Sequence, residues 1–181
     1  FKPISKTIAR KIYNLPTESK IILFGASNPR DLRKGWDFFK EVVTKISKIN
    51  PSFEFIVFGM DNPQEETFEE AKIKFLGSIT DEYALSTLYS SCDVMLLPSR
   101  IENLPQCATE AQACGIPVVT FNSGGISDVV ENEITGYLAD PFEIDQLVKG
   151  IIWILENEEI HNKLSENSLK IAKRKWDIKA I

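Results

Sequence analysis

Histidine occurs once in this chain, as His161, and cysteine three times, as Cys92, Cys107 and Cys114. A single histidine excludes a histidine-rich zinc site and a His-dependent nucleophilic triad built from this chain alone. The cysteines are odd in number, lack any CxxC spacing and sit in apolar surroundings. They read as reduced core residues of a cytoplasmic protein and not as a disulfide frame. No apolar run approaches the ~20 residues of a membrane span, and no signal-peptide pattern is present. An Asn-x-Ser/Thr acceptor is missing too, because "NPS" at 50–52 carries the forbidding proline. Positive charge is in short supply: 21 Lys and Arg against 26 Asp and Glu leave a net charge of −5. The basic residues are scattered, so there is no broad stripe for a nucleic-acid backbone, and any anion site must be local. A chain that opens at Phe1, without an initiator methionine, is expected to be a piece of a longer one.

What is present is enough for a core. The 181 residues are 43% hydrophobic and 26% charged, which is ordinary for a globular domain. Short apolar runs alternate with amphipathic segments, the pattern of a parallel sheet covered by helices on both faces. Strands are predicted at 20–25, 53–59, 73–77, 93–98, 116–121 and 136–140. Between the first two, Phe38, Phe39, Val42, Val43, Ile46 and Ile49 share a helical stripe. A helix follows Asp81, a suitable N-cap, with Leu85, Leu88 and Tyr89 turned inward. Further helices are predicted over 105–114, 127–132 and 142–157, with a last one from 158 to 174. Six βα units give a doubly wound, Rossmann-like, six-stranded α/β sheet. Residues 1–19 lack a strand pattern and read as a linker or lead-in helix.

In such sheets ligands bind beyond the carboxyl ends of the strands. The first loop there, "GASNPRDLRKG" at 25–35, places Arg30, Arg33 and Lys34 before a helix start. Free N–H groups at a helix start favour an anion, and a phosphate would explain the clustered cations; the plain alternative is a solvated loop. The loop is neither GxGxxG nor followed by GKS/T, so no dinucleotide fingerprint or P-loop is present. The second stretch is "ENLPQCATEAQACGIPVV". With Pro105 near the first helical position, Cys107, Ala108, Ala111, Cys114 and Gly115 share one face, and Thr109, Gln112 and Ala113 lie opposite. Glu110 stands about 100° from the centre of the small-residue face, at its border. Glu102 precedes the helix. Both carboxylates can point into the crevice; the plain alternative is an ordinary exposed glutamate pair. In the third, "NSGGISDVV", Gly124 and Gly125 permit close backbone approach, either to a ligand or in a plain βα turn.

Taken together, the chain from about residue 20 resembles the C-terminal, donor-binding domain of a GT-B glycosyltransferase of the retaining family 4 type. The strand–Gly25 loop ending in "RKG", "FLGSITDEYALSTLYSSCDVMLLPS", the E-x7-E pair Glu102 and Glu110, and "GGISDVVENEITGYLADP" carry the match in that order. The resemblance implies a nucleotide-sugar donor, linked to UDP, GDP or ADP, and sugar transfer to a glycan, lipid or polysaccharide precursor. It implies that Glu110 accepts from the ribose hydroxyls. Glu102 meets the donor sugar beside the backbone N–H groups of Asn103 and Leu104. Lys34, with an arginine, neutralises the leaving diphosphate, so that neither cofactor nor metal is called for. Gly124 and Gly125 face sugar or phosphates, and the base lies near Gly77, Ser78 and Ile79. Many members carry an arginine where Ala26 stands here; Arg33 is favoured as its replacement, with Arg30 or Lys34 alone as the alternatives. Residues 1–19 then correspond to an interdomain linker and 20–181 to the donor domain. The acceptor domain, which in the family often supplies a histidine, is not in this chain, and the isolated domain is expected to be inactive. Peripheral membrane association of the full-length protein would suit a lipid acceptor. Sugar-nucleotide epimerases share the architecture, but "PSRIENLPQCATEA" differs from their corresponding stretch. A non-catalytic nucleotide-binding module is the other alternative.

Overall fold

The computed structural model describes residues 1–25, 28, 31–60, 68 and 71–176. Ala26, Arg30, Asp61 and, apart from Phe68, the acidic stretch at 65–70 lie outside the described residues. The strands are β1 (Ile21–Gly25), β2 (Glu54–Phe58), β3 (Lys72–Phe75), β4 (Val94–Leu97), β5 (Val118–Phe121) and β6 (Gly136–Ala139). They form one parallel sheet in the order β3-β2-β1-β4-β5-β6. The order reverses direction between β1 and β4, the switch point of a doubly wound fold. The helices are α1 (Lys6–Ile12), α2 (Trp36–Ile49), α3 (Glu82–Ser91), α4 (Gln106–Ala113), α5 (Ile144–Leu155) and α6 (Glu158–Trp176).

The strand period of two divides the core into two layers. Ile22 and Phe24 of β1 face α2 and α5, whereas Ile21 and Leu23 face α3 and α4. In α2 the predicted stripe buries Phe39, Val42, Val43 and Ile46. Ile49, expected on the same stripe, is 56% exposed because the helix ends there and the chain turns at Asn50. Asp81 caps α3 as expected, its side chain accepting from the Ala84 N–H.

Pro105 stands near the first helical position of α4 as expected, as its N-cap. Two local expectations are corrected. The stretch at 127–132 does not form a helix; a 3-10 turn spans Gly125–Asp128 instead. Gln112, expected on the open face of α4, is fully buried, and its amide donates to the Val129 carbonyl and to Thr135 Oγ1. Both partners belong to the segment between β5 and β6, which packs on that side of α4.

The N-terminal segment is fastened to this core. Helix α1 lies against α3, and the buried Arg10 reaches Asp93 at the foot of β4 at 2.8 Å. Asp93 also accepts from Lys6 Nζ and from the Ile21 N–H, and its backbone carbonyl is 2.9 Å from His161 Nε2 on α6. Helix α1 and strand β1 therefore converge on one satisfied carboxylate, and α6 on the backbone carbonyl of the same residue. Asp93→Ala leaves Arg10 buried without its partner and is expected to lower unfolding stability by about 3–5 kcal/mol, read from urea denaturation.

Candidate functional site

The carboxyl edge of the sheet holds a cavity of about 540 Å³ beside the switch point. That size suits a small-molecule or cofactor pocket. Its wall brings together Lys34 from the loop after β1, Ser78 and Ile79 from the loop after β3, Glu102 and Leu104 from the loop after β4, and Glu110 from α4.

Lys34 is aimed by its turn. Residues Leu32–Lys34 form a 3-10 turn capped by Asp31, whose side chain accepts from the Arg33 N–H. Gly35 ends the turn with φ +70°, and a β-carbon there would stand 2.0 Å from the Pro98 carbonyl oxygen. Only glycine permits both the left-handed backbone and this approach to the loop after β4. The same two loops are tied by Arg100. Its N–H donates to the Arg33 carbonyl at 2.8 Å, and its guanidinium donates to the Leu32 carbonyl and to both oxygens of Asp37. Lys34 Nζ then donates to Glu102 Oε1 at 2.6 Å, and Ser99 Oγ donates to the same oxygen at 2.9 Å.

Glu102 is held from its other side by the paired glycines. The Gly125 N–H donates to the Glu102 carbonyl at 2.8 Å. A β-carbon at Gly124 would lie 2.2 Å from that carbonyl oxygen, and one at Gly125 2.0 Å from the carbonyl oxygen of Asn103. The glycine pair thus serves a backbone-to-backbone contact that aims Glu102. Gly25 has a similar supporting place: a β-carbon there would meet the ring of Phe58, which lines the cavity.

Arg33 is placed differently from Lys34. Its guanidinium folds back on Asp31 at 2.6 Å, is largely exposed, and is not part of the cavity wall. The hydrogen bonds from Arg33 hold the Asp31 carboxyl down at about 2. Asn103, Gly25, Gly124 and Gly125 likewise stand outside the lining.

Glu110 projects from the border of α4 into the cavity, and Tyr89 Oη of α3 donates to its Oε2 at 3.0 Å. Burial raises the Glu110 carboxyl above its ordinary range, against the opposing pull of the Tyr89 hydrogen bond. Tyr89, Ser99 and Arg100 did not stand out in the sequence as site residues. For Tyr89 a signal existed, since a tyrosine turned into a core needs a partner for its hydroxyl. Among the described residues, no cluster of three or more His, Cys, Asp or Glu side chains could hold a metal ion, and no helix is long and apolar enough to cross a membrane.

The chain matches the family described as glycosyl transferases group 1 over residues 5–171. It belongs to that family. It is 30% identical over 143 residues to an uncharacterized glycosyltransferase of Haemophilus influenzae, covering 75% of this chain and 40% of that protein. The fold superimposes on sucrose-phosphate synthase of Thermosynechococcus elongatus with a TM-score of 0.85 and 27% identity, over 99% of this chain and 46% of that one. HepE of Anabaena, solved in complex with UDP-glucose, shares the fold with a TM-score of 0.78 at 22% identity, over 95% of this chain and 48% of its own. The glycosyltransferase domain thus spans less than half the length of each of these relatives.

The raised Glu110 carboxyl has a consequence for stability. A group whose pKa is raised by folding stabilises the fold below its unfolded value and loses that contribution as pH rises through the folded value. The half-buried carboxylate therefore weakens the fold at neutral pH. Glu110→Gln is expected to unfold at a higher temperature than the parent at pH 7–8. The gain should shrink towards zero as the pH falls below the ordinary glutamate value of 4.5, checked by thermal melts across pH.

Proposed function

We propose that this glycosyltransferase domain is the donor-binding half of a retaining enzyme of the family 4 type. In this reading the enzyme takes a sugar from a nucleotide-diphosphate donor and passes it to a glycan, lipid or polysaccharide precursor. The observation that carries the reading is the convergence of Lys34, Glu102 and Glu110 on one cavity at the carboxyl edge of the sheet.

Each group has a chemical task. Glu110 offers a carboxylate with acceptor sites to spare beyond the Tyr89 hydrogen bond, and two vicinal ribose hydroxyls are donors. Glu102, held by Ser99 and by the glycine turn, accepts from the donor sugar beside the N–H groups of Asn103 and Leu104. Gly124 and Gly125 act from behind, holding the backbone of Glu102 towards sugar and phosphates, and the base lies against Ser78 and Ile79. Lys34 turns from Glu102 towards the diphosphate and stabilises the charge that grows there as the sugar leaves. Because Lys34 supplies that charge, the reading calls for no metal ion. Arg33 joins only if its guanidinium leaves Asp31.

The acceptor site belongs to the remainder of a longer protein, working in the cytoplasm and, for a lipid acceptor, at the membrane face. Transfer requires reacting groups held in register between two domains, so this chain alone is expected to bind donor weakly and to transfer nothing measurable.

Calorimetry with UDP, GDP and ADP tests the reading. One of the three is expected to bind at micromolar to millimolar concentration. Lys34→Met should weaken that nucleotide about tenfold or more, as loss of a hydrogen bond to a charged group implies, while leaving its nucleoside unaffected. Silence with all three at millimolar concentration sinks the proposal.

A further inference from the structure

Tyr89 stands where the core meets the cavity. Its residue is 1% exposed, and its ring is edge-on to Phe58 and to Phe1 at centroid separations of 6.1 and 6.0 Å. Packing on both sides leaves the ring little freedom, and its hydroxyl reaches Glu110 Oε2 on the neighbouring helix. Burial pushes the ionisation of Tyr89 far up, so the phenol remains a donor at any ordinary pH. A neutral hydroxyl donating to a carboxylate forms one of the stronger side-chain hydrogen bonds.

Glu110 needs such a holder. A glutamate has three side-chain torsions, and ordering them when a ligand arrives costs affinity. With Oε2 tethered to a rigid ring, part of that ordering is already done, and Glu110 stays on the cavity wall. We propose that Tyr89 is a positioning residue for donor binding, which pins one oxygen of Glu110 and thereby aims the carboxylate at the ribose hydroxyls. The inference rests on the ribose role proposed above for Glu110.

The other groups facing Glu110 do not substitute for this bond. Glu82 of α3 disfavours the carboxylate through space. Cys107 and Cys114 of α4 are thiols whose ionisation is raised, with burial as the main cause.

Tyr89→Phe keeps the ring and removes the hydroxyl. In the ligand-free protein, a carbon-13 titration of the Glu110 carboxyl should show a higher midpoint in the variant; an unchanged midpoint overturns the proposal. Calorimetry with UDP, GDP and ADP and their 2′-deoxy counterparts gives the second readout. The variant should lose about tenfold in affinity for the ribonucleotide that binds, with a clearly smaller loss for its 2′-deoxy form, which keeps only the 3′ hydroxyl. Equal losses for both forms overturn the positioning role, because a general packing defect weakens them alike. In a Glu110→Gln background the same substitution should have no further effect on ribonucleotide affinity, and a persistent tenfold loss there would overturn it as well. If the parent binds a ribonucleotide and Tyr89→Phe matches it throughout, the role of Tyr89 falls and the ribose reading stands. If the parent binds none of the three, the ribose reading falls and this inference with it.

Discussion

The loops after β1, β4 and β5 touch backbone to backbone, and the placement of Lys34 against Glu102 follows from that contact. Gly35 passes under the Pro98 carbonyl, and the turn at Gly124 and Gly125 closes on the backbone of Glu102 and Asn103. A side chain at any of these crossings would clash with the facing carbonyl and push the loops apart. The arrangement is held by main-chain groups and by Arg100 from outside, so the charged side chains within the cavity do not have to hold the loops together.

The two ends of the sheet treat buried charge in opposite ways. At the amino end, Asp93 is surrounded by Arg10, Lys6 and the Ile21 N–H, a network whose members satisfy one another and fasten α1 to the core. At the carboxyl end, Glu110 has Tyr89 as its hydrogen-bond partner and a carboxyl raised by burial. The first arrangement favours a single rigid structure. The second sets a charge where it weakens the fold at neutral pH, a feature that stability alone does not account for.

The fold was largely legible from residue spacing. Each apolar run that was read as a strand is one, and the stripe in α2 faces the sheet through Phe39, Val42, Val43 and Ile46. The misreadings lie where a second element intervenes or an element stops. Gln112 was placed on an open face because helical period speaks only of one helix, whereas the segment between β5 and β6 meets that face from outside. Ile49 obeys the period but lies at the end of α2, beyond the sheet it would cover. The 3-10 turn at Gly125–Asp128 replaces a short helix because its glycines are engaged with the loop after β4.

The site divides along the same line. Residue types and spacing by themselves put Glu102 at the end of β4, Glu110 at the border of α4 and Lys34 before a helix start, because those positions follow from local periodicity and from the strand ends. Which groups those side chains meet was settled only by the tertiary structure. Lys34 finds Glu102 across 68 positions, and Tyr89 finds Glu110 across 21. Arg33, one residue from Lys34, turns instead to Asp31. A short window of sequence carries the period of its own helix or strand, but not which other elements lie beside it. That depends on strand order, which makes neighbours of β1 and β4, and on the packing that brings α3 against α4.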